Sequence, residues 1–276
     1  MKILVLGSSG QIGSATCVYL RKCGHTVVEW DIVCDKSYDL RLYNYNLYES
    51  MKSCDFVYYF ASDVGGSKYL EKYQDSYEFI MNNIDIMKYT FLALKETNIP
   101  FIFTSSQMAD LQNSTYGLLK VIGEKLTTNI GGLVVRLWNV YGEEHDNEKS
   151  HVITDFINMA KTNNVIKMRT DGKESRQLLY VEDCCECLLT LTNIYDTIDK
   201  SKNYHITSFD WITIKEVAEI IAEISGATIE CGTKQDCTQM NSMNVADDYI
   251  LNFWNPKTTI RSGIEKLYFN KDKILC

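Results

Sequence analysis

The sequence predicts an α/β fold: a doubly wound parallel sheet covered by helices on both faces, with a smaller C-terminal α/β lobe. Three observations carry this. Short apolar runs alternate with helical patterns through the first half of the chain. The first run stops at a glycine-rich turn that opens directly into a helix. Beyond Tyr141 the elements shorten, polar loops lengthen and the strands become less apolar.

In chain order, residues 3–6 form a buried strand and 11–22 a helix stopped by Gly24. A second strand spans 26–30 and ends at Asp31, and a third spans 55–60. Residues 77–97 form a long helix ahead of Asn98 and Pro100. Strand 101–104, helix 115–129 and strand 133–137 follow. In the second half, 151–161, 181–192 and 213–225 read as helices, the last opened by a threonine cap and closed by Gly226. Residues 1–142, with about 176–195, are expected to form the sheet domain; 143–175 and 196–276 form the smaller lobe.

Composition excludes several classes. Of the 276 residues, 45% are hydrophobic and 23% charged, which suits a folded core. The formal net charge of −8 and the lack of a long basic cluster disfavour nucleic acid. No run is long enough to span a bilayer, and the N-terminal run lacks a small-residue cleavage site. A cytoplasmic location is expected, with the ten cysteines reduced. Cys184 and Cys187 form a C-x-x-C without a second ligand pair, so no metal site is expected.

Gly7-Ser8-Ser9-Gly10-Gln11-Ile12-Gly13 lies between the first strand and the first helix, with spacing G-x-x-G-x-x-G. Gly7 permits the tight turn, Gly10 lets the backbone approach a pyrophosphate, and Gly13 lets the helix pack close to the strand. The helix N-terminus, from Gln11 and Ile12 onward, offers N–H groups to phosphate. This is a Rossmann-type dinucleotide site. Asp31, ending the second strand, can accept hydrogen bonds from ribose hydroxyls and would repel a 2′-phosphate, which favours NAD over NADP.

Tyr116 and Lys120 stand four apart on a helix, so phenol and ammonium can enter one cleft. The ammonium is expected to lower the tyrosine pKa, and the phenolate can then take a proton from a sugar hydroxyl while hydride leaves the same carbon. Ser106, after the strand that starts at Phe101, places a hydroxyl at the carboxyl edge of the sheet, where ligands bind in such folds. Capping or turn chemistry is its bland alternative.

With these motifs in place, the chain resembles the extended short-chain dehydrogenases/reductases, specifically the NAD-dependent epimerase/dehydratase family acting on nucleotide sugars. Residues 3–31 are particularly similar to UDP-galactose 4-epimerases of that family. The resemblance implies further roles. Asp39 and Leu40 match an adenine-side pair. Phe60, Ala61 and Ser62 match a loop that passes the cofactor, and Asn83 matches an asparagine near cofactor and active site. Arg136-Leu137-Trp138-Asn139-Val140-Tyr141-Gly142 is similar to the family's R-x-x-N-x-Y-G, whose asparagine (Asn139) approaches the sugar diphosphate. Arg176 matches an arginine that binds the nucleotide's phosphate. Trp254-Asn255-Pro256-Lys257 and Gly263-Ile264 match the closing signatures. Helices 77–97 and 115–129 correspond to those forming a four-helix homodimer interface. The substrate implied is a UDP-, GDP- or dTDP-linked sugar. Asp63-Val64-Gly65-Gly66-Ser67 resembles the loop of GDP-sugar epimerases and GDP-fucose synthase.

Two departures matter. Only ten positions separate Ser106 from Tyr116, so a wall of the pocket is trimmed or is completed by another segment. Gln107 and Met108 stand where dehydratases, decarboxylating relatives and 3,5-epimerases carry an extra acid/base, and neither transfers protons at neutral pH. Asp63, Asp110 or a cysteine would have to supply one. The expectation is therefore C4 epimerisation through a transient 4-keto sugar. A 4-keto-sugar reductase or dehydratase is the nearest alternative, and a catalytically silent NAD-binding protein is the non-enzymatic one.

Overall fold

The computed structural model describes residues 1–111, 113–234 and 244–269. Its elements, in order, are β1 (Lys2–Leu6), α1 (Gln11–Lys22), β2 (Thr26–Trp30), α2 (Tyr45–Lys52), β3 (Phe56–Tyr59), α3 (Ser67–Tyr73), α4 (Tyr77–Thr97), β4 (Phe101–Ser106), α5 (Thr115–Asn129), β5 (Leu133–Leu137) and β6 (Asn139–Tyr141). There follow α6 (Val152–Asn163), β7 (Val165–Lys167), β8 (Ser175–Tyr180), α7 (Val181–Asn193), β9 (Asn203–Ile206), β10 (Trp211–Thr213), α8 (Ile214–Ser225), β11 (Thr228–Glu230) and α9 (Ile260–Tyr268).

The main sheet is six-stranded and wholly parallel, in the order β2-β1-β3-β4-β5-β9. The chain winds outward from β1 to β2, then returns to β3 on the other side of β1. This reversal opens a crevice at the carboxyl ends of β1 and β3, the place where such sheets bind ligands.

Strand alternation sorts the core into two layers. Ile3 and Val5 face a core shared with Cys17 and Leu20 of α1 and with Cys184 and Leu188 of α7. Leu4 and Leu6 face the opposite one, with Phe79, Phe91 and Leu94 of α4 and Tyr116 and Leu119 of α5. Both faces are covered, which is why the strands read as continuous apolar runs rather than alternating ones.

The smaller lobe contains a three-stranded sheet, β10-β8-β6, and a two-stranded one, β11-β7, with α6 and α8 beside them. Two placements differ from the sequence-based division. β9, expected in the smaller lobe, pairs in parallel with β5 as the sixth strand of the main sheet. Its Tyr204, His205 and Ile206 are all buried, and a strand covered on both faces needs a sheet interior rather than a lobe surface. β6 and β8, expected with the main sheet, instead pair with each other in the small one. The closing motif is a tether: Asp183, in the first turn of α7, accepts from the backbone N–H groups of Lys257 (2.9 Å) and Thr258 (2.7 Å). Trp254 and Ile264 are buried in the core beside it.

No helix among the described residues is long and apolar enough to cross a membrane. Cys184 and Cys187 are buried free thiols whose pKa burial pushes far up, and no metal-sized cluster of His, Cys, Asp or Glu occurs among the described residues.

Candidate active site

A cavity of about 1020 Å³ runs from the glycine turn, across the carboxyl edge of the sheet, into the smaller lobe. At one end the turn is built by contact constraints. Gly7 has φ +82°, and a Cβ there would lie 2.7 Å from the Ala61 nitrogen. A Cβ on Gly13 would lie 2.0 Å from the Gly7 carbonyl oxygen, so the helix approaches only because that atom is missing. Gly10 is different: a Cβ there would meet only the Gly7 oxygen, at 3.5 Å, so the need for glycine is set from the cavity side. α1 begins at Gly10 with no side-chain cap, which leaves its first N–H groups for an anion. Gln11 lines the cavity with a buried Nε2 that has no partner among the described residues.

Asp31 lines the cavity beside the glycine turn. Its Oδ2 accepts from the Ser9 N–H (3.0 Å) and its Oδ1 from the Val33 N–H (2.9 Å), which fixes the carboxylate against the turn. Asp39 and Leu40 line the same end; Asp39 is held by Arg41 through Nε (2.9 Å) and Nη2 (2.7 Å), and the guanidinium keeps its carboxyl below the usual range. Ile12, Phe60, Ala61 and Ser62 complete the wall. The unpartnered Gln11 amide, the uncapped helix and the fixed Asp31 together fit a dinucleotide without a 2′-phosphate.

Asn83 is the exception among the expected contacts. It lies buried behind the wall, where its Oδ1 accepts from Ser62 Oγ (2.9 Å) and the Asp63 N–H (3.0 Å). Its Nδ2 donates to the Asp63 carbonyl (3.0 Å). The geometry makes it a clamp on the 62–63 backbone.

Across the sheet edge, Tyr116, Lys120 and Ser106 line the cavity together. Lys120 is buried; its Nζ donates to the Thr104 carbonyl at 2.9 Å and lies 5.5 Å from the centre of the Tyr116 ring. Burial lowers its pKa to about 8, and Glu124 works against that shift. The expected lowering of the Tyr116 pKa is not seen. Burial pushes the phenol well up, and the Ser106 hydroxyl beside it pulls only partly the other way. Desolvation of the phenol is the dominant effect. Ser106 Oγ accepts from the Met108 N–H (3.2 Å), capping a 3₁₀ turn at Gln107–Asp110, and the residue also lines the cavity.

Asn139 and Arg176 line the far half of the cavity. Asn139 Nδ2 donates to the Gln177 carbonyl (3.3 Å), and Arg176 Nη1 to the Ser175 carbonyl (2.8 Å). Both side chains are half-buried.

Three groups escaped the sequence reading. Glu124 is buried beneath the site and bonds Ser105 (2.5 Å), Arg136 (2.7 and 2.9 Å) and Asn203 (3.2 Å). Its signal was present: Tyr116, Lys120 and Glu124 recur every four residues on α5. His151 Nδ1 lies 2.5 Å from Glu144 Oε1 on the cavity wall; burial alone would raise the Glu144 pKa, but His151 and Thr154 hold it down. No periodicity links those loops. Asp63, considered as an acid, is instead fully engaged by Tyr69 (2.7 Å), Lys149 (3.0 Å) and Asn82 (3.1 Å). Asp110 is likewise paired with Arg136 (2.7 Å).

A parallel sheet with a dinucleotide turn and a Tyr-Lys-Ser cluster at its carboxyl edge defines an NAD-dependent enzyme of the short-chain type. Residues 3–207 match the model of the NAD-dependent epimerase/dehydratase family, and the chain belongs to that family. Among curated relatives, GDP-mannose 3,5-epimerase 1 of Oryza sativa subsp. indica is 24% identical over 318 residues, covering 98% of this chain and 81% of its own. Among solved structures, a UDP-galactose 4-epimerase superposes with TM-score 0.79 at 21% identity, covering 100% of both chains. UDP-glucuronic acid 4-epimerase from Bacillus cereus, in complex with UDP-glucuronic acid and NAD, superposes with TM-score 0.80 at 21% identity, covering 99% of this chain and 100% of its own.

Proposed function

We propose that this enzyme epimerises a nucleotide-linked sugar at C4 through a transient 4-keto sugar. The observation that carries the reading is the cluster of Tyr116, Lys120 and Ser106 beside two positions, Gln107 and Met108, that hold no proton-transfer group. Inversion by oxidation and reduction at one carbon needs no second acid. Bound NAD supplies the hydride acceptor and donor. Ser106 orients the reacting hydroxyl, and Tyr116 removes its proton and later returns it. Lys120, anchored on the Thr104 carbonyl, keeps positive charge next to the phenol. Arg176 suits the diphosphate, a guanidinium fork being matched to phosphate oxygens, and Asn139 stands beside it. The six-stranded sheet with its glycine turn supplies the cofactor half, and the smaller lobe, with β6 and β8, the sugar-nucleotide half. The enzyme works in the cytoplasm.

A second reading rests on one observation, the His151–Glu144 pair inside the same cavity. An imidazole held by a carboxylate can act as a general acid/base, which would allow proton exchange at a carbon next to the keto group and so epimerisation at C3 or C5, the positions named for the GDP-mannose 3,5-epimerase relative. Turnover of UDP-glucose, UDP-galactose and GDP-mannose in D₂O separates the readings. C4 inversion without deuterium uptake supports the first. Deuterium at C3 or C5 replaces it with the second, and stoichiometric consumption of NADH on addition of a nucleotide-linked 4-keto sugar makes the enzyme a reductase.

The partner surface is a second copy of the chain. α4 and α5 pack side by side and expose Ile84 and Leu92 on one, and Leu118, Ile122 and Leu126 at four-residue spacing on the other. An apolar stripe shared by two neighbouring helices suits four-helix pairing.

A further inference from the structure

The trimmed Ser106–Tyr116 connection leaves Gln107 as the residue next to the serine hydroxyl, on the cavity wall and only 5% exposed. A segment of the smaller lobe holds it. Asn244 Nδ2 donates to the main-chain carbonyl of Gln107 (2.9 Å) and to its Oε1 (3.2 Å). This pattern fixes both amides. A main-chain carbonyl only accepts, so the Asn244 atom must be the NH₂ group, and the Gln107 atom facing it must be the oxygen. The Asn244 segment is itself anchored, since the Asp247 N–H donates to His205 Nδ1 (3.3 Å), which also accepts from Trp138 Nε1 (3.3 Å). Burial foremost, and Arg136 next, lower the His205 pKa, which keeps that nitrogen an acceptor.

The Gln107 Nε2 is thereby turned away from Asn244. It donates to no described residue, yet it is not among the sealed polar atoms that lack a partner. A donor on the cavity wall, with its orientation set from behind, is ready for a ligand oxygen.

We propose that Gln107 is a specificity-determining residue: its Nε2 donates to the sugar's 3-hydroxyl or 6-hydroxyl oxygen, on either side of the reacting C4, and Asn244 is the positioning residue that aims it. The proposal rests on the nucleotide-sugar reading above. It also identifies what replaces the missing connection, namely the 244–247 segment acting through Gln107.

The test uses the NAD-loaded enzyme and calorimetric binding of UDP-glucose, UDP-galactose and GDP-mannose, each compared with free UDP or GDP. Gln107→Glu keeps the acceptor toward Asn244 and removes the donor; Gln107→Leu removes both. Each is expected to weaken sugar-nucleotide binding by roughly 3- to 10-fold while free nucleotide diphosphate binds as in wild type. Asn244→Ala should give a smaller loss of the same kind. The 3-deoxy and 6-deoxy analogues of the sugar that binds identify the oxygen: one binds wild type more weakly but Gln107→Leu no differently from the parent sugar. Equal loss of sugar-nucleotide and free-diphosphate binding assigns Gln107 a merely structural role and overturns the proposal. Wild-type binding that is indifferent to Gln107 overturns it alone. A wild type that binds no nucleotide sugar overturns the parent reading with it.

Discussion

At the residue scale the proposed chemistry rests on three side chains, Tyr116, Lys120 and Glu124, and on the glycine turn. Tyr116→Phe removes the phenol proposed to take the proton, and a loss in kcat of about 10²–10⁴-fold is expected with NAD content unchanged. Unchanged turnover would remove Tyr116 from the mechanism. Lys120 must be protonated to hold positive charge near the phenol, so kcat should fall as pH rises through about 8. Glu124 raises the Lys120 pKa by its charge; Glu124→Gln removes that support, so the alkaline limb of the pH–kcat profile should move to lower pH. A limb that stays in place would mean a different group titrates. Gly13→Ala forces a Cβ to within 2.0 Å of the Gly7 oxygen. Loss of co-purified NAD, with a destabilisation of about 1–3 kcal/mol measured by denaturant titration, is the expected result.

At the scale of elements, capping and spacing do most of the local work. α8 opens with a complete capping box, in which Thr213 Oγ1 accepts from the Glu216 N–H (3.1 Å) and Glu216 Oε2 accepts from the Thr213 N–H (2.8 Å). The threonine cap was readable directly. So were the ends of α1, α4 and α5, because apolar periodicity and terminal Asn or Gly residues are local signals. β4 runs two residues beyond its expected end, to Ser106. The two polar serines pair there with β5 at Arg136 and Leu137, a non-local partner no window of sequence contains. Lobe assignment failed at β9 for the same reason: Asn203-Tyr204-His205-Ile206 mixes polar and apolar residues, and nothing in so short a run says which sheet it joins.

At the scale of the whole molecule, the exposed stripe on α4 and α5 makes a direct prediction. Ile122→Glu with Leu118→Glu should convert a dimer to a monomer in analytical ultracentrifugation, because two carboxylates would have to be desolvated at the interface. A wild type that sediments as a monomer removes the interface. The cavity also closes only at this scale. Lys149–Asp63, Lys68–Asp155 and Arg169–Glu71 join the segment after β3 to the smaller lobe across its mouth.

The sequence by itself determined the cofactor end, because the turn, the helix start and Asp31 lie within 31 consecutive residues and each constrains its neighbours through the backbone. It also determined Tyr116, Lys120 and Ser106 as candidates, since helical spacing and a strand end place them. Tertiary structure alone decided that Asn83 clamps the wall from behind, that Asp63 and Asp110 are spent in ion pairs, and that Asn244 aims Gln107. Those outcomes depend on contacts between residues up to 137 positions apart, and which oxygen meets which nitrogen is settled by packing rather than by order along the chain.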